Sequence, residues 1–217
     1  MNNKKYSFDK SGLNENPIFC GEFDMPYVES SDEIPEDVIT FEKAMKTKDE
    51  EDFRKWIVFY CDDSEFERLW NAPNRYLEKL RKFEGVVTPD FSMYGDMPYP
   101  VKMMNAYRSR WLGVWLNEND IKTIVNVRWC DEESFDYILD GIEENSNIFI
   151  GTLGARRNNQ DRNLLEKGFE KVCEIIKPKF VMSYGSLTEN MKNVCMKNGI
   201  PYKEYIPQIS RVFGGMS

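Results

Sequence analysis

The apolar positions of this chain change rhythm along its length. From residue 53 onward, short β-branched or aromatic runs alternate with longer stretches whose apolar residues recur every three or four positions. Period-two and short continuous apolar runs mark strands, and the three-to-four spacing marks helices. This predicts strands over 56–60, 85–88, 122–129, 147–151, 180–184 and 202–206, with a further one at 38–41. Between them the spacing predicts helices over 64–82, 101–117, 134–140, 160–176 and 188–197. Gly199 fits the left-handed position that closes a helix, where the missing Cβ removes the steric penalty.

Strands separated by helices imply βαβ units, a parallel sheet and the α/β class. Two architectures give the same linear pattern: an open doubly wound sheet and an incomplete β/α barrel. The expected organisation is an acidic N-terminal extension over 1–52, packing on an α/β domain over 53–217. Residues 1–70 hold 18 acids against 9 bases, whereas the rest holds 19 against 20. The formal net charge of −8 argues against extended duplex nucleic acid, which requires a basic stripe. The acidic stretch over 22–52 reads either as a solvated wrapping segment or as a surface for a basic protein partner.

The longest apolar run, six residues from Trp56 to Cys61, is far short of the roughly 20 that span a bilayer. No secretory leader is apparent behind the first residues, so a cytoplasmic protein without membrane attachment is expected. Cys20, Cys61, Cys130, Cys173 and Cys195 form no close pair, which fits reduced thiols. Histidine is absent. That removes Ser-His-Asp and Cys-His catalysis and leaves carboxylates, guanidinium groups, tyrosine, cysteine or a bound metal to carry any chemistry.

In either parallel architecture ligands gather at the carboxyl ends of the strands, so the residues just after each strand are the ones to read. The stretch Gly151-Thr152-Leu153-Gly154-Ala155-Arg156-Arg157 could cradle an anion, its glycines admitting close approach and Arg156 and Arg157 adding forked hydrogen bonds. It lacks the Gly-Lys-Ser/Thr ending of a P-loop and equally reads as a tight turn with solvated arginines. Tyr184-Gly185-Ser186 repeats the theme, and Arg128 follows another strand. Within the helix over 101–117, Val101, Met104, Arg108, Trp111 and Trp115 share one face, with Arg108 in the apolar stripe. Arg108 could meet an anionic ligand, orient Asp90, or form an internal ion pair. Arg110 falls on another face, as a solvated residue would. Gly168 suits close packing of its helix on the sheet.

Asp90, Asp96, Asp131 and Glu132 are candidate acids. Asp90 and Asp131 follow strands adjacent in sequence and could together hold Mg²⁺ or Mn²⁺, or one could act as an acid. Both also suit ordinary caps and turns. Cys130 is a weaker candidate, a nucleophile only if a cation stabilises its thiolate.

The segment Val87-Thr88-Pro89-Asp90-Phe91-Ser92-Met93-Tyr94-Gly95-Asp96-Met97-Pro98, followed by Asn105-Ala106-Tyr107-Arg108-Ser109-Arg110, resembles an uncharacterised family of bacteria and their phages, domain of unknown function 4417. Val127-Arg128-Trp129-Cys130-Asp131, Ser134-Phe135-Asp136, Gly151-Thr152-Leu153-Gly154 and Tyr184-Gly185 extend the likeness from about residue 50 to 206. The resemblance implies a phage or mobile-element setting and brings no reaction with it. Three functions compete: a binder of a phosphate- or nucleotide-like anion, a metal-dependent hydrolase or phosphoesterase using Asp90 and Asp131, and an interaction module acting through the acidic region.

Overall fold

A computed structural model describes residues 13–153 and 159–207. A short antiparallel hairpin, β1 (Phe19–Cys20) with β2 (Met25–Pro26), precedes the main sheet. That sheet has seven strands: β3 (Val38–Thr40), β4 (Trp56–Val58), β5 (Gly85–Val87), β6 (Thr123–Asn126), β7 (Asn147–Gly151), β8 (Phe180–Tyr184) and β9 (Tyr202–Tyr205). The helices are α1 (Phe41–Lys46), α2 (Asp63–Asn71), α3 (Leu77–Leu80), α4 (Tyr99–Glu118), α5 (Asn159–Ile176) and α6 (Glu189–Asn198). The helical signal over 64–82 is broken at Ala72-Pro73, because proline supplies no amide hydrogen to continue the ladder. The helix expected over 134–140 shrinks to a 3₁₀ turn at Glu133–Asp136. Gly199 closes α6 at φ 65°, as its position predicts.

Every main-sheet pairing is parallel, and the strand order follows the chain from β3 to β9 without a reversal. A doubly wound sheet needs a reversal to put helices on both faces, so the incomplete barrel is the architecture this chain adopts. With right-handed crossovers throughout, successive helices fall on one face. The other face must then cover itself by curling, and the sheet forms a half-barrel. Its inner cluster draws Val38, Trp56, Val58, Val87, Ile124, Phe149, Met182, Tyr184 and Tyr205 from all seven strands. Alternate residues point outward: Ile39, Ile57 and Val86 pack with residues such as Phe66 of α2 and Leu112 of α4. Val125, Ile148, Ile150 and Val181 pack with residues such as Phe169 of α5 and Met191 of α6.

The seam between β9 and the segment entering β3 is bridged by side chains. Tyr205 Oη donates to the Pro35 carbonyl at 2.6 Å, and Lys203 Nζ donates to the Pro35 and Glu36 carbonyls at 2.7 and 2.9 Å. The segment before β3 also crosses the amino ends of the strands. Ser31 N donates to the Thr123 carbonyl at 2.7 Å and Ser30 Oγ to the Asn147 carbonyl at 2.7 Å. Asp32 pairs with Lys179 and Glu33 with Lys122, both lysines standing just ahead of a strand. Much of the acidity between 29 and 37 thus faces lysines at the bottom of the half-barrel. The carboxyl-end mouth lies opposite.

Candidate functional site

Inward parity carries Tyr60, Asn126, Arg128, Gly151 and Tyr184 to the mouth. The Tyr60 ring stacks on Tyr184 with centroids 4.9 Å apart and lies over Gly151, where a Cβ would stand 2.6 Å from a ring carbon. This explains the glycine at 151 as room for an aromatic ring. Tyr60 Oη donates to Asn126 Oδ1 at 2.7 Å, and Asn126 Nδ2 donates to Asp90 Oδ1 at 2.7 Å. The other Asp90 oxygen accepts from Arg128 Nη1 at 2.6 Å. Four residues from three consecutive strand ends therefore make one connected polar chain. Burial pushes the Asp90 carboxyl above the usual aspartate value, with Arg128 and Asn126 pulling against it. Burial alone would lower the Arg128 pKa, but the Asp90 carboxylate more than reverses that. Tyr60 is held well above the ordinary tyrosine range, first by burial and then by Asp90.

The loop between β5 and α4 is pinned from two sides. Asp63, at the start of α2, accepts from Ser92 N at 3.1 Å and Ser92 Oγ at 2.8 Å, while Asn105 Nδ2 donates to the Ser92 carbonyl at 2.6 Å. The loop then carries Tyr94, an exposed ring whose centroid lies 5.8 Å from the Arg128 guanidinium carbon. Asp63 follows a predicted strand and Tyr94 lies in the family-like segment, but sequence reasoning assigned neither a role at the site. Both become legible only once the loops after β4, β5 and β6 are neighbours in space.

Arg108 does not reach this mouth chain. It donates to Glu67 of α2 at 2.6 Å and to Asn105 Oδ1 at 2.9 Å, and its guanidinium lies 3.9 Å from the Phe91 ring centre. The ion-pair reading is the one this geometry follows, with Glu67 as partner in place of Asp90. Val101 and Met104 are exposed while Lys102, Asn105 and Ala106 of the same turns are buried, so the supposed apolar face is not continuous. Arg110 is the larger correction. It is only 3% exposed, and it donates to the Asn126 carbonyl at 3.2 Å and the Ile138 carbonyl at 2.8 Å. Burial lowers its pKa to about 10.

Asp131 stands apart from Asp90. It pairs with the buried Lys102 and accepts from Ser134 N at 2.8 Å. Each of the two aspartates is thus committed to its own cation. No group of three or more cysteine, aspartate and glutamate side chains gathers for a metal among the described residues. Asp96 and Glu132 are exposed. Cys130 is buried and its thiol is pushed up to about 11, first by burial and then by Asp131, which disfavours a thiolate. Thr152 is buried, with its amide and Oγ1 both donating to the Tyr184 carbonyl. Tyr184 is buried in the aromatic stack, whereas Ser186 is exposed beyond it. Gly154, Arg156 and Arg157 lie outside the described residues. Gly168 allows close packing, but against Trp129, whose indole nitrogen would stand 2.1 Å from an added Cβ.

A family model described as Domain of unknown function (DUF4417) matches residues 19–203. The match begins well before residue 50 and takes in the acidic segment that closes the bottom of the half-barrel. Two curated relatives carry the name Gene 1 protein, from Mycobacterium phage L5 and Mycobacterium phage D29. Each is 33% identical over 129 residues, or 59% of this chain. The alignment covers 56% of the L5 protein and 48% of the D29 protein, so the matched region spans about half their length. No solved structure matches. No helix among the described residues is long and apolar enough to cross a membrane.

Proposed function

This chain belongs to the DUF4417 family, and from that premise we propose that it binds a small phosphate- or nucleotide-like anion at the mouth of its half-barrel, in the cytoplasm of a bacterial host. The observation that carries the reading is the Asp90–Arg128 pair. An arginine side chain 29% exposed is fixed through Nη1 at a strand end while an exposed tyrosine ring stands beside it. Such a group presents further N–H donors in a fixed plane, which suits an oxyanion better than a flexible lysine would. The Tyr94 face offers stacking to a planar ring of the same ligand. Relationship to phage proteins fits a mobile-element setting, although their names assign no activity.

Metal-dependent hydrolysis through Asp90 and Asp131 is the less supported alternative, since each carboxylate is already engaged by a separate cation. A basic partner for residues 22–52 is likewise disfavoured by Asp32 and Glu33 facing lysines of the same chain. The test is a melting-shift screen of nucleotides and sugar phosphates. A ligand at 100 times its Kd adds about 2.7 kcal/mol, or roughly 5–11 °C for a chain of this size. Arg128→Gln should remove the ligand-induced shift, and Arg156→Ala with Arg157→Ala should weaken it. A panel in which no compound moves the wild-type melting point would refute the reading.

A further inference from the structure

Behind Arg128, a recess opens between α4, the loop after β5 and the end of β6. Phe91, Asn105, Ser109, Arg110, Asn126 and Arg128 contribute to its lining. It has about 10 Å³ of open space, which accommodates about one water-sized atom. Arg110 reaches this recess from α4 with its two terminal nitrogens taken by carbonyls and its buried Nε without an acceptor among the described residues. A buried donor left in that state carries a desolvation penalty that an anionic acceptor would relieve.

The charges around the recess point the same way. Two arginines line it, and of these Asp90 pairs with Arg128. Arg110 has no carboxylate within hydrogen-bonding distance, and Asp140 acts on it only across space. Carbonyl dipoles orient the Arg110 guanidinium but do not neutralise it. Asp140 offsets the Arg110 charge across space but supplies it no hydrogen bond.

We infer that the recess receives one oxygen of an oxyanion, a phosphate monoester or a carboxylate, held between Arg110 Nε and the Arg128 guanidinium. This rests on the proposed anion-binding mouth and extends it inward, making Arg110 the deep anchor and Arg128 the outer one. The small volume admits a single oxygen, so the rest of the ligand lies outward toward Tyr94.

The experiment follows arginine Nε–H signals of the full-length chain by proton–nitrogen correlation, titrating inorganic phosphate in one arm and acetate in the other at constant ionic strength. Arg110→Lys identifies the signal by its loss. If that variant does not fold, through-space contacts to Ile138 identify it in the wild-type chain. A saturable shift of the Arg110 Nε–H supports the inference, and the stronger arm names the oxyanion. An Arg110 signal unmoved by both anions overturns it. Should a nucleotide raise the melting point through Arg128 while that signal stays fixed, the inner anchor fails and the mouth reading stands. Should phosphate move the signal while no panel compound shifts melting, the recess stands as a phosphate site and the nucleotide and sugar-phosphate reading of the mouth falls.

Discussion

Replacing Asp131 by asparagine separates a structural ion pair from a metal or catalytic carboxylate. Lys102 is 2% exposed and Asp131 25% exposed, with the Lys102 ammonium on Oδ2 and the Ser134 amide on Oδ1. Glu133 lies 3.7 Å from the same ammonium but is 70% exposed and compensates weakly. Breaking a fully buried pair costs about 3–5 kcal/mol because the surviving charge is stranded. With Asp131 partly open to water and Glu133 nearby, Asp131→Asn should cost about 2–3 kcal/mol. Lys102→Met should cost less, because Asp131 can turn toward solvent, and the double variant should resemble Lys102→Met alone. For a urea slope of about 2 kcal/mol/M, Asp131→Asn lowers the midpoint by about 1–1.5 M at pH 7, followed by far-UV circular dichroism. Burial pushes the Asp131 carboxyl up, but Lys102 and the Ser134 amide pull it further down, leaving it below its ordinary value. Its contribution is therefore present above the ordinary aspartate pKa and lost as pH falls through the folded one. An unchanged midpoint at pH 7, together with a Mg²⁺-dependent gain that the variant abolishes, would refute this reasoning in favour of a metal ligand.

Asp90 should show the opposite linkage. Its folded pKa is raised above 3.8, so its contribution is greatest below that value and declines as pH rises through the folded pKa. Asp90→Asn should make stability climb more steeply with pH over that window in urea titrations, and an unaltered slope would contradict the assignment. Gly151→Ala drives a methyl into the Tyr60 ring, which Tyr184 and the bond to Asn126 prevent from moving aside. Overpacking of about 1–3 kcal/mol should lower the melting point by roughly 2–12 °C and alter the near-ultraviolet tyrosine signal. A wild-type melt would show that the ring and strand are not in contact.

The strand and helix alternation was legible because each element carries its own period, and even the short Val38–Thr40 strand announced itself. Strand order was not, since βαβ rhythm is the same whether helices fall on one face or two. The site residues show the same division. Arg128 and Asp90 could be placed at strand ends, but their pairing depends on neighbouring β5 and β6. Arg110 was misjudged because face arithmetic assumes that a helix has one buried side. From Trp111 to Leu116 every residue of α4 is buried, so both sides are covered. That unbroken run is the signal that could have exposed the error. It places Ala106 and Arg110, four residues apart, on a covered face as well. Gly154, Arg156 and Arg157 extend the glycine-rich stretch beyond the described residues.

The two ends of the half-barrel treat charge differently, and that asymmetry favours the carboxyl-end mouth for the proposed binding. At the amino ends, lysines meet carboxylates from the acidic segment over water-exposed geometry, as in Lys122–Glu33 and Lys179–Asp32. Surface pairs of that kind contribute little stability and leave no buried charge awaiting a partner. At the carboxyl ends the cations are drawn inward. Lys102, Arg108 and Arg110 all come from α4, and Arg128, at the end of β6, shares a recess with Arg110. Lys102, Arg108 and Arg128 each receive a carboxylate, whereas Arg110 receives only carbonyls. A fold that needed only stability would be better served by an apolar side chain at position 110, since burying a guanidinium that Asp140 offsets only across space opposes folding. Its place beside a recess at the carboxyl ends of the strands is what the proposed anion would account for.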